Sequence, residues 1–236
     1  MDIKETGILG PDPGGHWYYR SKAEAVERCL RGVTCTTLLD VGAGSGFFSR
    51  HLLTHTALRT AYCVDPNYER EWGETVGGKP LHFLQRTDGV DADLVLLMDV
   101  VEHVDDDVAL LREYRAKARA DAAFLISVPA FQFLWSAHDV FLGHRRRYTL
   151  HGLETAVRNA GLRVEFGGYF YGAVFPLAVL VRLARRRAHG AVSSDLRPHH
   201  PAINALLLGV CRAELPLLRH NRLFGLTAFC LARRAS

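Results

Sequence analysis

An α/β fold, a mostly parallel sheet with helices on both faces, follows from three features of the sequence. Short apolar runs alternate with amphipathic stretches through most of the chain, the alternation that builds parallel strands by right-handed crossovers. The first apolar run, TTLLDVG, stops at a glycine and feeds a helical stretch. The third feature is ordinary globular composition, since 236 residues at 48% apolar and 23% charged suit one sizeable domain, read here as spanning 1–236.

The elements follow in order. In WYYRSKAEAVERCLR (17–31), Tyr18, Ala25, Val26, Cys29 and Leu30 share one face, so 16–31 reads as a leading cap helix outside the sheet. TTLLDVG is the first strand, Phe47 to His55 a helix, RTAYCVD (59–65) the second strand, and NYEREWGE a short helix. PLHFL (80–84) is the third strand, and the fully apolar DLVLLMD (93–99) the fourth. Asp105, Asp106 and Asp107 open a helix ending in Arg115, Lys117 and Arg119, the charge order a helix dipole favours. AAFLISVP (122–129) is the fifth strand, and a core of 36–165 closes with a helix from Thr149 to Asn159, Gly161 and a strand from Leu162. Between them, the nineteen residues 130–148 read as a lid or binding segment. Residues 166–222 are a helical insertion. Its uncharged run 166–181, with Pro176 and three glycines, is too short to span a membrane and reads as a buried strand plus helix, ahead of a membrane-surface helix. Residues 188–200 look like a connector, 201–219 a last amphipathic helix, and LFGLTAFCLARR a closing strand.

Composition narrows the function classes. Five scattered cysteines with no C-x-x-C pair fit neither a zinc ribbon nor a disulfide framework, so reduced thiols in a cytoplasmic protein are expected. MDIKETGILGPDPGGH has no secretory-signal pattern. The net charge of +4 is unevenly spread: residues 1–136 hold 14 Lys and Arg against 20 Asp and Glu, residues 137–236 hold 15 against 5. A basic second half suits an anionic partner or a solvated arginine-rich surface.

The most informative stretch is LLDVGAGSGFF. Asp40 precedes Gly42, Gly44 and Gly46, whereas a dinucleotide turn would place its third glycine where Phe47 stands. A carboxylate beside this turn disfavours a pyrophosphate and favours a cationic ligand. Asp65, at the end of the second strand, is placed to accept both hydroxyls of a ribose. An adenosine with a cationic amino-acid tail and no phosphate describes S-adenosylmethionine. Read singly, Asp40 and Asp65 are also ordinary turn and helix caps.

LLDVGAGSGFF, CVDP and DLVLLMDVVEHVDD together resemble the motif series of class I S-adenosylmethionine-dependent methyltransferases, particularly the small-molecule branch that includes the ubiquinone-biosynthesis O-methyltransferases. The resemblance implies a Rossmann-like, doubly wound, seven-stranded sheet whose last strand is antiparallel, with S-adenosylmethionine as the cofactor. Carried over by motif, Asp40, Gly42, Ala43, Gly44 and Gly46 would surround the methionine part, and Asp65 and Pro66 the ribose and adenine. Asp88, or Thr87, would meet the adenine amino group. Asp99, at the carboxyl edge of the fourth strand, is counted with the cofactor site. HWYYR resembles the family's aromatic lead segment: Tyr19 would cover the sulfonium by cation–π attraction and Arg20 would pair with the methionine carboxylate.

Methyl transfer from a sulfonium mainly needs an aligned nucleophile, with a base where the acceptor arrives protonated. His103 can be that base or a packing residue at a helix start. After the fifth strand, His138 or His144 can deprotonate a hydroxyl with Asp139 orienting the ring, and Arg146, Arg147 and Tyr148 are expected on the acceptor wall with Trp135 and Trp17. His138, Asp139 and His144 match no compact ligand spacing, so no metal is expected. The resulting expectation is a methyltransferase acting on a small polar or anionic acceptor, oxygen favoured. The rivals are a membrane-surface enzyme with a lipid-like acceptor, through peripheral contact at 166–187, and a nucleic-acid methyltransferase. The second is disfavoured because base-modifying relatives place a polar-Pro-Pro-aromatic tetrapeptide where DVVE stands, so no nucleic-acid partner is expected. Nothing in the sequence signals an oligomeric state.

Overall fold

Eight strands form one sheet in the computed structural model, which describes residues 13–187, 197 and 199–234. In chain order they are β1 (Thr37–Val41), β2 (Thr60–Val64), β3 (Trp72–Val76), β4 (Lys79–Leu84), β5 (Leu94–Met98), β6 (Ala123–Pro129), β7 (Leu162–Phe170) and β8 (Thr227–Arg234). Their order across the sheet is β3-β4-β2-β1-β5-β6-β8-β7. The strands β4, β2, β1, β5 and β6 run parallel, and β8 is inserted antiparallel between β6 and β7. That is the α/β architecture read from the alternation, with the closing strand antiparallel.

The eighth strand is β3, which replaces the short helix expected over NYEREWGE. The cause is local: Gly77 and Gly78 take φ of 58° and 79°, the two-residue turn that joins twisted antiparallel strands, and Trp72–Val76 folds back on Lys79–Leu84.

Helices cover both faces. On one lie α1 (Trp17–Cys29), α2 (Phe47–His55) and, nearer the C-terminus, α7 (Pro201–Glu214), burying Val26, Leu52 and Cys211 against Leu38, Leu94 and Phe229. On the other lie α3 (Asp107–Lys117) and α5 (Leu150–Asn159), burying Leu111 and Val157 against Leu39, Val95 and Cys230. Adjacent strand residues such as Leu38 and Leu39 thus serve opposite faces, each fully buried leucine contributing about 1.5–3 kcal/mol. Side-chain caps set the starts: Asp106 accepts from the Ala109 amide, and Thr149 from the Gly152 amide. All five cysteines are free and buried.

Two other expectations change. The 130–148 segment contains a 3-10 turn at Gln132–Leu134 and a short helix α4 (Ala137–Leu142), and an Ala130–Tyr148 bridge ties its ends. The helix expected to be buried after 166, α6 (Phe175–Arg187), instead exposes Leu177 and Leu180, 62% and 66% accessible. Among the described residues no helix is long and apolar enough to cross a membrane. Of the connector expected at 188–200, all but 197, 199 and 200 lies outside the described residues.

Candidate active site

A cavity of about 890 Å³ opens along the carboxyl ends of the central strands, where open α/β sheets bind ligands. One end is the glycine turn between β1 and α2. Gly42, Gly44 and Gly46 have φ of 61°, 54° and 73°, a region that side chains resist. A Cβ on Gly42 would stand 2.7 Å from Val100 Cγ2, and one on Gly46 2.7 Å from the Phe83 ring. Asp65 lines the cavity beside the turn: its Oδ2 accepts from the Gly44 amide at 3.1 Å and its Oδ1 from the Asn67 amide at 2.9 Å. Pro66 also lines the cavity, Ala43 is buried, and Asp40, 2% exposed beneath the turn, accepts from Ser49 Oγ at 2.7 Å. Of the residues expected around the methionine part, Gly42 lines the cavity while Asp40, Ala43, Gly44 and Gly46 do not; Asp65 beside the bare turn fits a ribose.

The middle of the cavity is built from α1 and the end of β5. Trp17, Tyr18 and Tyr19 of HWYYR line it. Arg20 does not, being exposed and paired with Glu24. In its place stands Lys22, fully buried and ion-paired with Asp99. Burial works against the ammonium, but Asp99 outweighs it and holds the Lys22 pKa above the ordinary lysine range. Asp99 takes φ 53°, unusual for a residue with a side chain, and accepts from Ser127 Oγ at 3.1 Å. Sequence reasoning missed Lys22, although a charge on the face of α1 shared by Tyr18 and Val26 was the available signal. Asp88 is exposed on a loop and does not line the cavity; Thr87 Oγ1 accepts from the Gly89 amide at 3.2 Å instead.

Beyond Asp99 the chain makes a 3-10 turn, Val101–His103, that delivers Glu102 and His103 to the cavity, where His138 and His144 arrive from the lid. The His103 and His144 rings meet edge to face at 4.8 Å. His144 Nδ1 bonds Asp139 Oδ1 at 2.9 Å. Burial opposes ionisation of Asp139, yet hydrogen bonds from His144 and Arg147 hold its carboxyl well below the usual range. Burial, reinforced by the nearby His144, lowers His103 to about 4, so its ring is neutral at ordinary pH.

The basic run after His144 differs from the expected acceptor wall. Arg145 donates to the His103 carbonyl at 2.8 Å and pairs with Asp105; Arg146 donates to the Asp105 carbonyl at 2.7 Å; Tyr148 donates to Asp107 Oδ2 at 2.7 Å. These three clamp the lid onto the turn that carries Glu102 and His103. Only Arg147 lines the cavity, with its Nε on Asp139 Oδ1 at 2.7 Å and Nη1 on the Ala130 carbonyl at 3.1 Å. Trp135 is half-buried and lies outside the cavity lining.

Comparison with known proteins agrees with this geometry. Residues 15–165 match the family described as a methyltransferase domain. No curated protein matches at the level of sequence. Among solved structures, the chain is similar to one in a Haloferax volcanii complex of the Trm112 methyltransferase activator (16% identity, 92% of this chain and 91% of that one, TM-score 0.56). It also resembles an O-methyltransferase family protein from Burkholderia thailandensis (14%, 92% and 56%, TM-score 0.53) and the mitomycin 7-O-methyltransferase (15%, 91% and 54%, TM-score 0.52). It spans little more than half the length of those two. With a matching family over most of the sheet, a glycine turn at the first crossover and a carboxylate at the second strand end, the chain belongs to the methyltransferase-domain family and is an S-adenosylmethionine-dependent methyltransferase.

Proposed function

We propose that the protein methylates an oxygen of a small polar acceptor with an apolar body. The observation carrying this reading is the single cavity that joins the glycine turn and Asp65 to the Glu102, His103 and His144 cluster. S-adenosylmethionine supplies a methyl group already activated on a sulfonium. The chain's own residues hold and align. Asp65 accepts from the ribose hydroxyls, Gly42 to Gly46 give backbone close approach, and Trp17, Tyr18 and Tyr19 exclude water. The imidazole cluster takes the hydroxyl proton, with Asp139 fixing the His144 ring. Trp17 Nε1, buried and without a hydrogen-bond partner among the described residues, is a donor available to the acceptor. A polar acceptor is preferred to an anionic one because Lys22 and Arg147 are already ion-paired with Asp99 and Asp139.

One observation favours a lipid-like acceptor as second reading: Leu177 on the cavity rim and Leu180 and Leu183 of α6, with Ile203 and Leu206 of α7, are exposed. Nucleic acid is less suited, since Arg145, Arg146 and Arg147 are spent on internal bonds. The test is a screen of hydroxylated and amino acceptors with methyl-labelled donor, products read by mass spectrometry, alongside sedimentation with anionic vesicles. Label on ring or chain hydroxyls is expected; label on nitrogen or carbon only, or on nucleic acid, overturns the reading, and activity confined to vesicle-bound substrate selects the second.

A further inference from the structure

Away from the cavity, α1 and α2 meet through a cluster of nitrogen and oxygen ligands. In α2, Leu52, Leu53 and Thr54 separate His51 from His55, so the two histidines stand four residues apart and their rings share one helix face. The rings stack with centroids 4.3 Å apart, and Phe47, one turn earlier, packs on His51 at 6.3 Å. Glu27, near the end of α1, arrives from the neighbouring helix and pairs with His51 Nε2. One ligand atom from each of Glu27, His51 and His55 lies within 4.8 Å of the others. His55 Nδ1 donates to the His51 carbonyl at 2.9 Å, which leaves the Nε2 lone pair of His55 free, the tautomer a metal takes. His51 and Glu27 are partly buried and His55 is exposed, so the cluster is open to solvent on one side. Glu24, one turn before Glu27, is held by Arg212 at 2.6 Å and is not counted as a ligand.

We infer that Glu27, His51 and His55 bind one zinc-class divalent ion that pins α1 to α2, at a site separate from the methyl-transfer cavity. None of the three residues lines that cavity. Two imidazoles and one carboxylate suit zinc, whereas calcium and magnesium prefer oxygen shells. Three protein ligands leave the fourth tetrahedral position to water, on the side where His55 is exposed. Ligand atoms about 2 Å from a common tetrahedral ion stand roughly 3–3.5 Å apart, so the Glu27–His51 contact opens and the His55 ring turns inward on binding. The absence of a metal expected from His138, Asp139 and His144 does not bear on this helix. What the ion would do follows from what the two helices carry. α1 presents Trp17, Tyr18, Tyr19 and Lys22 to the cavity, and α2 starts from Gly46 of the glycine turn. An ion bonded to both helices fixes one wall of the donor end against the other. The site does not depend on the acceptor proposed above.

The test uses the full chain without added histidines, stripped with a chelator. Zinc is titrated in by calorimetry, and Tm is measured with and without it. One equivalent at this site is expected, and zinc at about a hundredfold excess over its Kd should raise Tm by about 5–11 °C. Loss of an outer partner of a metal ligand costs about 10- to 100-fold in affinity, so removal of a ligand should cost at least about tenfold. His55→Ala and Glu27→Gln should each show that loss, and the Tm rise should shrink accordingly at the same zinc concentration. Magnesium and calcium should not displace the zinc. Wild type that takes up no zinc overturns the site, as does an equivalent that survives both variants. An equivalent kept by His55→Ala but lost in His144→Ala would put the ion in the cavity and overturn it too. Binding at Glu27 and His55 without a rise in Tm would overturn the pinning of α1 to α2. If Glu27→Gln fails to fold, His55→Ala, which removes an exposed ring, carries the comparison.

Discussion

Asp99→Asn should unfold this protein far more readily than its place at a strand end suggests. Lys22 is completely buried and Asp99 is its counterion, with an 18% exposed side chain. Removing the carboxylate charge leaves an ammonium in a low-dielectric interior with the Tyr18 hydroxyl at 3.5 Å and the Glu102 carboxyl as its remaining compensation among the described residues. Breaking a buried pair from one side costs about 3–5 kcal/mol. For a chain of this size each kcal/mol lowers Tm by about 2–4 °C, so a fall of about 6–20 °C is expected. Lys22→Met should cost less, about 1–3 kcal/mol, because Asp99 keeps its bond from Ser127 and some solvent. The double variant, with neither charge, should return to within about 1 kcal/mol of wild type, giving a coupling of about 3 kcal/mol or more. The pH dependence carries a sign. In wild type the folded-state Lys22 pKa is raised, so its stabilisation is complete below the unfolded-state value and is lost only as pH climbs through the folded-state one. In Asp99→Asn the chief force opposing burial is gone, burial outweighs what Tyr18 and Glu102 supply and depresses that pKa, the unfolded chain binds more protons, and stability should rise from neutral to alkaline pH. Urea unfolding of the four proteins across that range decides it. Single variants within 1 kcal/mol of wild type, or a double variant no better than Asp99→Asn, would refute the reasoning.

Four further outcomes are expected. Asp65→Asn should weaken adenosylhomocysteine at least tenfold by calorimetry, since an amide offers one acceptor oxygen where the carboxylate offers two, and turns a donor toward the other hydroxyl. Gly46→Ala, at φ 73° and with its Cβ 2.7 Å from the Phe83 ring, should lose about 1–3 kcal/mol in urea unfolding. His103, depressed to about 4 in the fold, contributes stability above the unfolded-state pKa that is lost as pH falls toward 4, at most about 3 kcal/mol; His103→Gln should flatten that limb of the Tm profile. Tyr148→Phe should cost about 1 kcal/mol of stability through the lost bond to Asp107 and leave the acceptor KM unchanged, which a Tyr148 on the acceptor wall would not.

What the sequence made legible is what short stretches of chain decide. Glycines at 42, 44 and 46 announce a turn that needs positive φ, Thr149 and Gly161 bracket a helix, and uninterrupted apolar runs mark strands buried on both faces. The Gly77–Gly78 pair was legible too and was passed over, because the charged NYEREWGE before it resembles a helix surface more than an edge strand. Charges are another matter, since their meaning depends on the partner. The basic second half looked like a surface for an anion. In the fold, Arg145 meets Asp105, Arg146 meets Asp107 and Arg147 meets Asp139, while Arg212 reaches back to Glu24. The Arg145, Arg146 and Arg212 pairs, formed across about 40 residues or more, offset part of the asymmetry between the halves, and Arg145 and Arg146 fasten the segment that carries His144 to the turn that carries Glu102. Of this arginine run, Arg145 and Arg146 are thus taken up by holding the segment to that turn, while Arg147 lines the cavity. The cluster at Glu102 exists only because α4, the lid and the end of β5 converge, a juxtaposition that residue spacing does not encode.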